Sequence, residues 1–369
     1  MNYYLIAGEA SGDLHGANLM KALKLEDENA TFRFLGGDLM LAQGGDLVRH
    51  YSEMAFMGFI EVVLNLRTVL KNLKHAKADI LAHRPDVLIL IDFPGFNLKI
   101  AQFAKENGIK VFYYISPKVW AWNQKRVLKI KKVVDKMFCI LPFEVDFYRS
   151  WGMEVDYVGN PLLDAIAAFT PDERFRLEHG LGEKAIVALL PGSRKQEISK
   201  ILPDMLSILD GFPTYQFVIA GAPGFEKEYY AQFIGDKNVP VVYNQTYNLL
   251  KNSDAAIVAS GTATLETALL DVPQVVVYKG NAISIAIARL VVKIKFISLV
   301  NLIMNKLVVK ELIQEECNTV SLRTELNLLL NDPLYRSQML INYQQLAEKM
   351  GEPGASYKAA RIIVNALSV

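Results

Sequence analysis

The sequence predicts an α/β protein of two facing, doubly wound Rossmann-like domains with a helical C-terminal tail. Three observations predict it. Short apolar runs alternate with amphipathic helical stretches, the alternation breaks once and restarts, and the polar motifs fall just after apolar runs. The chain's 369 residues suit about two domains. A composition of 51% hydrophobic and 21% charged residues belongs to a globular chain rather than a disordered one.

The predicted strands, in order, are YYLIA (3–7), DVLILI (86–91), KVFYYI (110–115), KMFCIL (136–141), AIVALL (185–190), QFVIA (216–220), DAAIVA (254–259) and QVVVY (274–278). Helical patterns lie between them. One is VVLNLRTVLKNL (62–73), which puts Val62, Leu66, Val69, Leu70 and Leu73 on one apolar face. Strands alternating with helices imply parallel sheets covered on both faces. The pattern breaks at GNPLLDAIAAFTPDE (159–173), which places a hinge near Pro161, and alternation resumes at Ala185. From about Asn318 the pattern is helical throughout. The predicted domains are therefore 1–160 and 161–350. A terminal helix over 351–369 packs back on the first domain or on a partner chain. Ligands of such sheets bind beyond the carboxyl ends of the strands, so two facing domains predict a crevice between them.

Several function classes are excluded. A formal charge of +1 provides no field to recruit nucleic acid. Cys139 and Cys317 stand far apart with no metal spacing, which argues against a disulfide framework or a zinc site and fits a reducing cytosol. The start, MNYYLIAGEASGD, reads as a first strand and not as a signal peptide. Arg289, Lys293 and Lys295 interrupt the apolar segment 281–305, leaving no charge-free run near the ~20 residues a spanning helix needs. GxxxxGK[ST] is absent, as is GxGxxG after the first strand, which disfavours P-loop nucleotidases and dehydrogenases. Asp-x-Asp occurs nowhere, so no closely spaced carboxylate pair is offered to a metal.

The chemistry is expected in the loops after strands. AGEASGD (7–13) brings Glu9, Ser11 and Asp13 to the start of a helix, where amides attract anions and hydroxyls. A tight turn with an Asp cap is the plainer alternative. IDFPGFN (91–97) sets Asp92 at the mouth of a strongly apolar strand, where desolvation makes a stronger base; helix capping by Asp92 is the other reading. YISPKVWAW (114–122) carries Trp120 and Trp122, suited to sugar faces, to acyl chains or to core packing. In LPGSRKQEI (190–198), Gly192 and Ser193 can expose amides to phosphate and Arg194 can neutralise a diphosphate, unless Arg194 is only a surface cation. SGTATLET (260–267) forms a helix start suited to phosphate through Ser260, Gly261 and Thr262, with Glu266 one turn in to accept from ribose hydroxyls. Ser260 as a simple N-cap is the alternative for that residue.

Taken together the motifs resemble the lipid-A-disaccharide synthase family. They are AGEASGDLHG (7–16), GGDLM (36–40), MGFIEV (57–62), DFPGFN (92–97), YISPKVWAW (114–122), LPFE (141–144), LPGSR (190–194), SGTATLE (260–266) and, more loosely, SLVNL…VVKELIQ (298–314). Each is weak alone; in order, over about nine tenths of the chain, they are specific. The resemblance implies the GT-B glycosyltransferase fold and inverting transfer of 2,3-diacylglucosamine from its UDP donor to the 6-hydroxyl of 2,3-diacylglucosamine 1-phosphate. It implies Asp92 as base. Gly192, Ser193, Arg194, Ser260, Gly261, Thr262, Glu266, Asn301, Glu311 and Gln314 fall on the nucleotide and donor side. Glu9, Ser11, Asp13, Trp120 and Trp122 fall on the acceptor side. No cofactor and no metal is implied. The enzyme is expected at the cytoplasmic face of a bacterial inner membrane, peripherally bound. Arg67, Lys71, Lys74 and Lys77 on the 62–77 helix suit anionic head groups, MGFI (57–60) suits the interface, and an ordinary core helix is the alternative. A homodimer is left open. The rival functions are another GT-B enzyme, such as a UDP-N-acetylglucosamine 2-epimerase, or a non-catalytic nucleotide-sugar binding module.

Overall fold

A computed structural model describes residues 1–54, 66–280 and 295–368. The motif MGFIEV with MGFI and Val62, the Leu66 side chain, and residues 281–294 with Arg289 and Lys293 lie outside the described residues. The chain divides into two compact units, Met1–Asp164 with Glu352–Val369, and Ala165–Gly351.

The first unit is built on a seven-stranded parallel sheet. Its strands are β1 (Asn2–Ala7), β2 (Thr31–Gly36), β3 (Asp46–His50), β4 (Val87–Ile91), β5 (Lys110–Tyr114), β6 (Lys136–Cys139) and β7 (Asp156–Tyr157), in the order β3-β2-β1-β4-β5-β6-β7. The second holds β8 (Ala185–Leu190), β9 (Tyr215–Gly221), β10 (Val241–Tyr243), β11 (Ser253–Ala259), β12 (Gln274–Tyr278) and β13 (Glu311–Ile313), in the order β10-β9-β8-β11-β12-β13. All eight predicted runs are strands. Five further strands appear, and four of them, β3, β7, β10 and β13, are short edge strands. An edge strand buries less of itself and so carries no continuous apolar run.

Side-chain alternation in the first unit feeds two apolar layers. Tyr4, Ile6, Leu88 and Leu90 pack toward the helices Leu66–His83, Pro94–Glu106 and Val127–Val133. Tyr3, Leu5, Ala7, Val87, Ile89 and Ile91 pack toward the helix Ala10–Glu26 and the terminal helix Ala355–Leu367, which contributes Ala359, Ala360 and Ile363. The tail thus returns to the first unit, where Asp164 accepts from the Gly354 amide. The helix Leu66–His83 differs from the expected stripe. Leu73, Ala76 and Ile80 are buried, but Leu70 is 52% exposed and lines a surface groove with Lys74, Lys77 and Phe103. At about 100° per residue, 70, 74 and 77 share one face and 73, 76 and 80 the next.

Two buried carboxylates lock the loops of this sheet. Asp13, in the helix Ala10–Glu26, accepts from the amides of Gly37 (2.7 Å), Leu39 (3.0 Å) and Met40 (3.1 Å). It therefore caps the short helix Asp38–Ala42 from another segment. Only glycine fits at 37, since a Cβ there would lie 2.3 Å from the Tyr51 ring and 2.7 Å from Asp13 Oδ2. Glu144 is 1% exposed and accepts from Ser116 Oγ (2.6 Å), Trp120 Nε1 (3.1 Å) and the amides of Ile140 (3.2 Å) and Leu141 (3.0 Å). It ties the loop after β5 to the loop after β6. The motifs GGDLM, YISPKVWAW and LPFE are in this respect scaffold.

Asp13→Ala is expected to lower stability by about 2–4 kcal/mol, because hydrogen bonds to a charged group contribute about 1.5–3 kcal/mol each and add incompletely. Asp13→Asn should lose less. An unchanged urea midpoint for the alanine variant would show that the helix start is held by other means. Burial raises the Glu144 carboxyl from 4.5 to about 7, against the pull of its donors. The folded protein then binds that proton more tightly than the unfolded chain. Its contribution to stability is present at low pH and falls as pH rises from about 4.5 to 7. Thermal midpoints across that window should fall more steeply in the wild type than in Glu144→Gln; equal slopes would refute the linkage.

Candidate active site

In each sheet the strand order reverses between its first and fourth strands in sequence, β1 and β4 in one and β8 and β11 in the other. Connections leave such a pair toward opposite faces, so the carboxyl ends stand over an open crevice. Ala7 pairs with Ile91 and Leu190 with Val258, so the loops AGEASGD and DFPGFN flank one reversal and PGSR and SGTATLE the other.

In the first unit the chain leaves β4 through two successive left-handed residues, Asp92 (φ 43°) and Phe93 (φ 47°), before Pro94 opens the next helix. Such conformations cost about 1–2 kcal/mol each for non-glycine residues and persist where neighbours over-determine them. The Asp92 carbonyl accepts from Asn97 Nδ2 (2.8 Å) and from the Tyr113 hydroxyl, and its amide donates to the Tyr114 carbonyl (3.3 Å). Asn97 Nδ2 also reaches the Ile91 carbonyl at 3.2 Å. The Phe93 ring lies where Gly8 would carry a Cβ, 2.3 Å away, so the two loops touch through the missing side chain. Asp92 does not cap by its side chain; the cap position of that helix belongs to Phe93. Burial raises the half-buried Asp92 carboxyl above the usual carboxylate range, while the Lys118 charge and the Phe93 amide pull it back.

The acceptor-side residues separate by burial. Glu9 is half-buried just before the helix Ala10–Glu26, and Ser11 is exposed in its first turn. Asp13 and Trp120 have their polar atoms committed to the scaffold. Trp122 is 51% exposed with the Arg126 guanidinium 5.0 Å from its ring. His15, which the motif contains but the sequence reading did not single out, has an unpartnered Nδ1; burial lowers its pKa to about 4 and keeps it neutral.

In the second unit Gly192 takes φ 107°, and a Cβ on it would lie 2.6 Å from Glu197 Oε2. Glu197 folds back from the helix Lys195–Leu206, accepting from the Ser193 amide (3.2 Å) and pairing with Arg194 Nη1 (3.2 Å). Arg194 is otherwise 65% exposed. At the other loop the helix is Thr262–Leu269, with Gly261 at its cap position and no side-chain cap. Ser260 is thus not the N-cap; its hydroxyl donates to the Ile297 carbonyl at 3.0 Å. No atom approaches within 4 Å of a Cβ built on Gly261. Glu266 accepts from the Tyr247 hydroxyl at 3.0 Å, and burial raises its carboxyl against that bond. It lines a cavity of about 420 Å³ with Phe169, Asn244, Gln245, Tyr247 and Asn248.

Asn301 and Glu311 are buried and hold one another. Asn301 Nδ2 donates to Glu311 Oε1 (2.8 Å) and its Oδ1 accepts from Val308 and Val309, while Glu311 also accepts from the amides of Ile297 (3.0 Å) and Ser298 (2.9 Å). They fix the segment on which Ser260 rests. Gln314 accepts from the Gly280 amide at 2.7 Å. Among the described residues no group of His, Cys, Asp and Glu has the arrangement to hold a metal, and no helix is long and apolar enough to cross a membrane.

The family model for lipid-A-disaccharide synthetase matches residues 3–364. Lipid-A-disaccharide synthase of Syntrophus aciditrophicus is 41% identical over 365 residues, covering 96% of this chain and 95% of that one. The enzyme of the same name from Myxococcus xanthus is 39% identical, covering 98% and 97%. Among solved structures, the glycotransferase of kitacinnamycin superposes with a TM-score of 0.68 at 14% identity, covering 99% of both chains. UDP-GlcNAc 2-epimerase from Neisseria meningitidis bound to UDP-GlcNAc gives 0.66 at 14% identity, covering 100% of both. At that identity the likeness is one of fold, the GT-B type, and the sequence relatives decide the family. With two parallel-sheet domains of that type and matches along nearly its whole length, this chain belongs to the lipid-A-disaccharide synthetase family of glycosyltransferases.

Proposed function

We propose that the protein transfers 2,3-diacylglucosamine from its UDP donor to the 6-hydroxyl of 2,3-diacylglucosamine 1-phosphate, releasing UDP and the β-1,6-linked disaccharide 1-phosphate. The observation that carries this reading is the full-length match to relatives of that name. The second support is that the motif loops end on the strand pairs where each sheet reverses.

The reaction is one in-line displacement. Asp92 takes the proton of the acceptor hydroxyl, whose oxygen attacks the anomeric carbon as the bond to the diphosphate breaks, and UDP departs with the electron pair. The α-linked donor becomes a β-linked product. A desolvated carboxylate with few donors is suited to take that proton. Arg194, the Gly192–Ser193 backbone and the start of the helix Thr262–Leu269 meet the charge of the leaving diphosphate. The diphosphate would compete with Glu197 for the Ser193 amide and the Arg194 guanidinium. Glu266 accepts from the ribose, and the cavity shared with Tyr247 and Phe169 takes the rest of the nucleoside. Asn301, Glu311 and Gln314 act by positioning, as do Asp13 and Trp120 on the acceptor side, where Glu9, Ser11 and Trp122 meet substrate.

Acylated substrates reside in a bilayer, and the protein works at its cytoplasmic face. Arg67, Lys71 and Lys74 are exposed, and the groove of about 520 Å³ beside them combines Leu70 and Phe103 with Lys74, Lys77 and Lys99. That mixture suits anionic head groups above acyl chains.

Asp92→Asn is expected to keep the fold and donor binding and to lower kcat about 10²–10⁴-fold, the usual contribution of a general base. Retention of a tenth of wild-type kcat, with disaccharide weighed by mass spectrometry, would remove Asp92 from that role. Arg194→Ala should weaken UDP about 10-fold or more in calorimetric titration, since a charge-assisted contact contributes about 1.5–3 kcal/mol. An unchanged affinity would leave Arg194 a surface cation.

A further inference from the structure

Of the three cations after β5, Lys118, Lys125 and Arg126, which the reaction as described leaves unused, Lys118 and Arg126 bear on the end of β4. Lys118 is exposed, and Arg126 lies with its guanidinium 5.0 Å from the Trp122 ring. Neither has an acidic partner within ion-pair distance among the described residues. Contrast Arg33, in the same unit, which is paired with both Asp46 and Asp79.

Their surroundings are not those of a mobile surface loop. Ser116 and Trp120 are tied to buried Glu144, Gln124 Nε2 donates to the Trp120 carbonyl at 3.1 Å, and the Asn123 amide donates to the Val119 carbonyl at 3.1 Å. The loop starts from β5, whose Tyr114 pairs with Ile91 at the end of β4. It therefore begins beside Asp92. Lys118 is near enough for its charge to bear on the Asp92 carboxyl, and the Arg126 charge bears on Tyr113, whose hydroxyl holds the Asp92 carbonyl.

A cation beside a base is a handicap for proton abstraction, because it stabilises the carboxylate and weakens the base. Two unpaired cations held there on a pinned loop call for an anion supplied by substrate. A phosphate monoester carries close to two negative charges near neutrality, and a guanidinium fork matches its oxygens. The exposed Trp122 face lies next to it for the sugar ring. We propose that Lys118 and Arg126 bind the phosphate of the acceptor sugar and so orient its hydroxyl toward Asp92. The assignment rests on the function proposed above and adds the residues that recognise the acceptor's charge.

Steady-state kinetics on Lys118→Ala, Arg126→Ala and Lys118→Arg test it, with a short-chain diacylglucosamine 1-phosphate and the same acceptor lacking its phosphate. Each alanine variant is expected to raise the KM for the phosphorylated acceptor about 10-fold or more, the loss of one charge-assisted contact, with donor KM within about two-fold of wild type. Lys118→Arg should restore most of the loss. Inhibition by glucose 1-phosphate, competitive with acceptor, should weaken in parallel, which covers the case where the unphosphorylated acceptor is not turned over. Where it is, wild type and variants should use it equally. Equal damage toward both acceptors, a matching rise in donor KM, or an unchanged acceptor KM would overturn the assignment. Failure of the wild type to form any disaccharide from these substrates would instead overturn the functional reading itself.

Discussion

Both units depend on one constraint, the reversal of strand order in a parallel sheet. A strand buried on both faces carries mostly apolar side chains, so polar chemistry is displaced to the loop that follows it. At the reversal the neighbouring connections diverge, and two such loops face an opening rather than a packed helix. Asp92 directly follows β4, and Arg194 lies in the loop four residues beyond Leu190, the end of β8. The apolar runs VLILI and AIVALL are thus the reason that the charged groups stand where they do.

Holding loops at such an opening requires polar anchors below them, and the sheet of the first unit uses buried carboxylates. Asp13 gathers three amides and Glu144 gathers four donors. An unpaired carboxylate at either site would be prohibitively costly to bury; saturated, it fixes geometry. Gly8 and Gly37 serve the same end by omission, allowing Phe93 and Tyr51 to close onto the backbone.

Central strands and the loops that follow them were legible because both leave local marks: an apolar run, then Gly, Pro or a hydroxyl. Edge strands such as β3 and β10 left none, being short and half-covered. Within the motifs, residue type was legible but commitment was not. Asp13, Trp120, Asn301 and Glu311 read as ligands of a substrate, whereas their hydrogen bonds go to segments 20 or more residues away or to a neighbouring turn. Ser260 read as part of a helix start, while the partner of its hydroxyl, Ile297, lies 37 residues on. Lys118 and Arg126 carried no signal at all, since a surface cation is recognisable only when its lack of an acid and its neighbour are both known.

In the reaction proposed above, the carboxylates that act differ from those that support in the number of donors each has already accepted. Asp13, Glu144 and Glu311 each accept three or more hydrogen bonds, so their oxygens are committed to holding the scaffold. Asp92 and Glu266 are also raised by burial but accept fewer hydrogen bonds: the Lys118 charge and a backbone amide pull back the one, and a single tyrosine hydroxyl the other. Desolvation without saturation raises the energy of a carboxylate, and that energy is recovered when the group accepts a proton or a hydroxyl. In the proposed reaction Asp92 meets the hydroxyl to be deprotonated and Glu266 the hydroxyls to be bound. The same physical condition, met at a strand end in one unit and on a helix in the other, underlies both proposed roles, chemistry for one carboxylate and recognition for the other. What distinguishes the two proposed roles is the electrophile: in the displacement proposed above, only the hydroxyl at Asp92 attacks an anomeric carbon as it loses its proton.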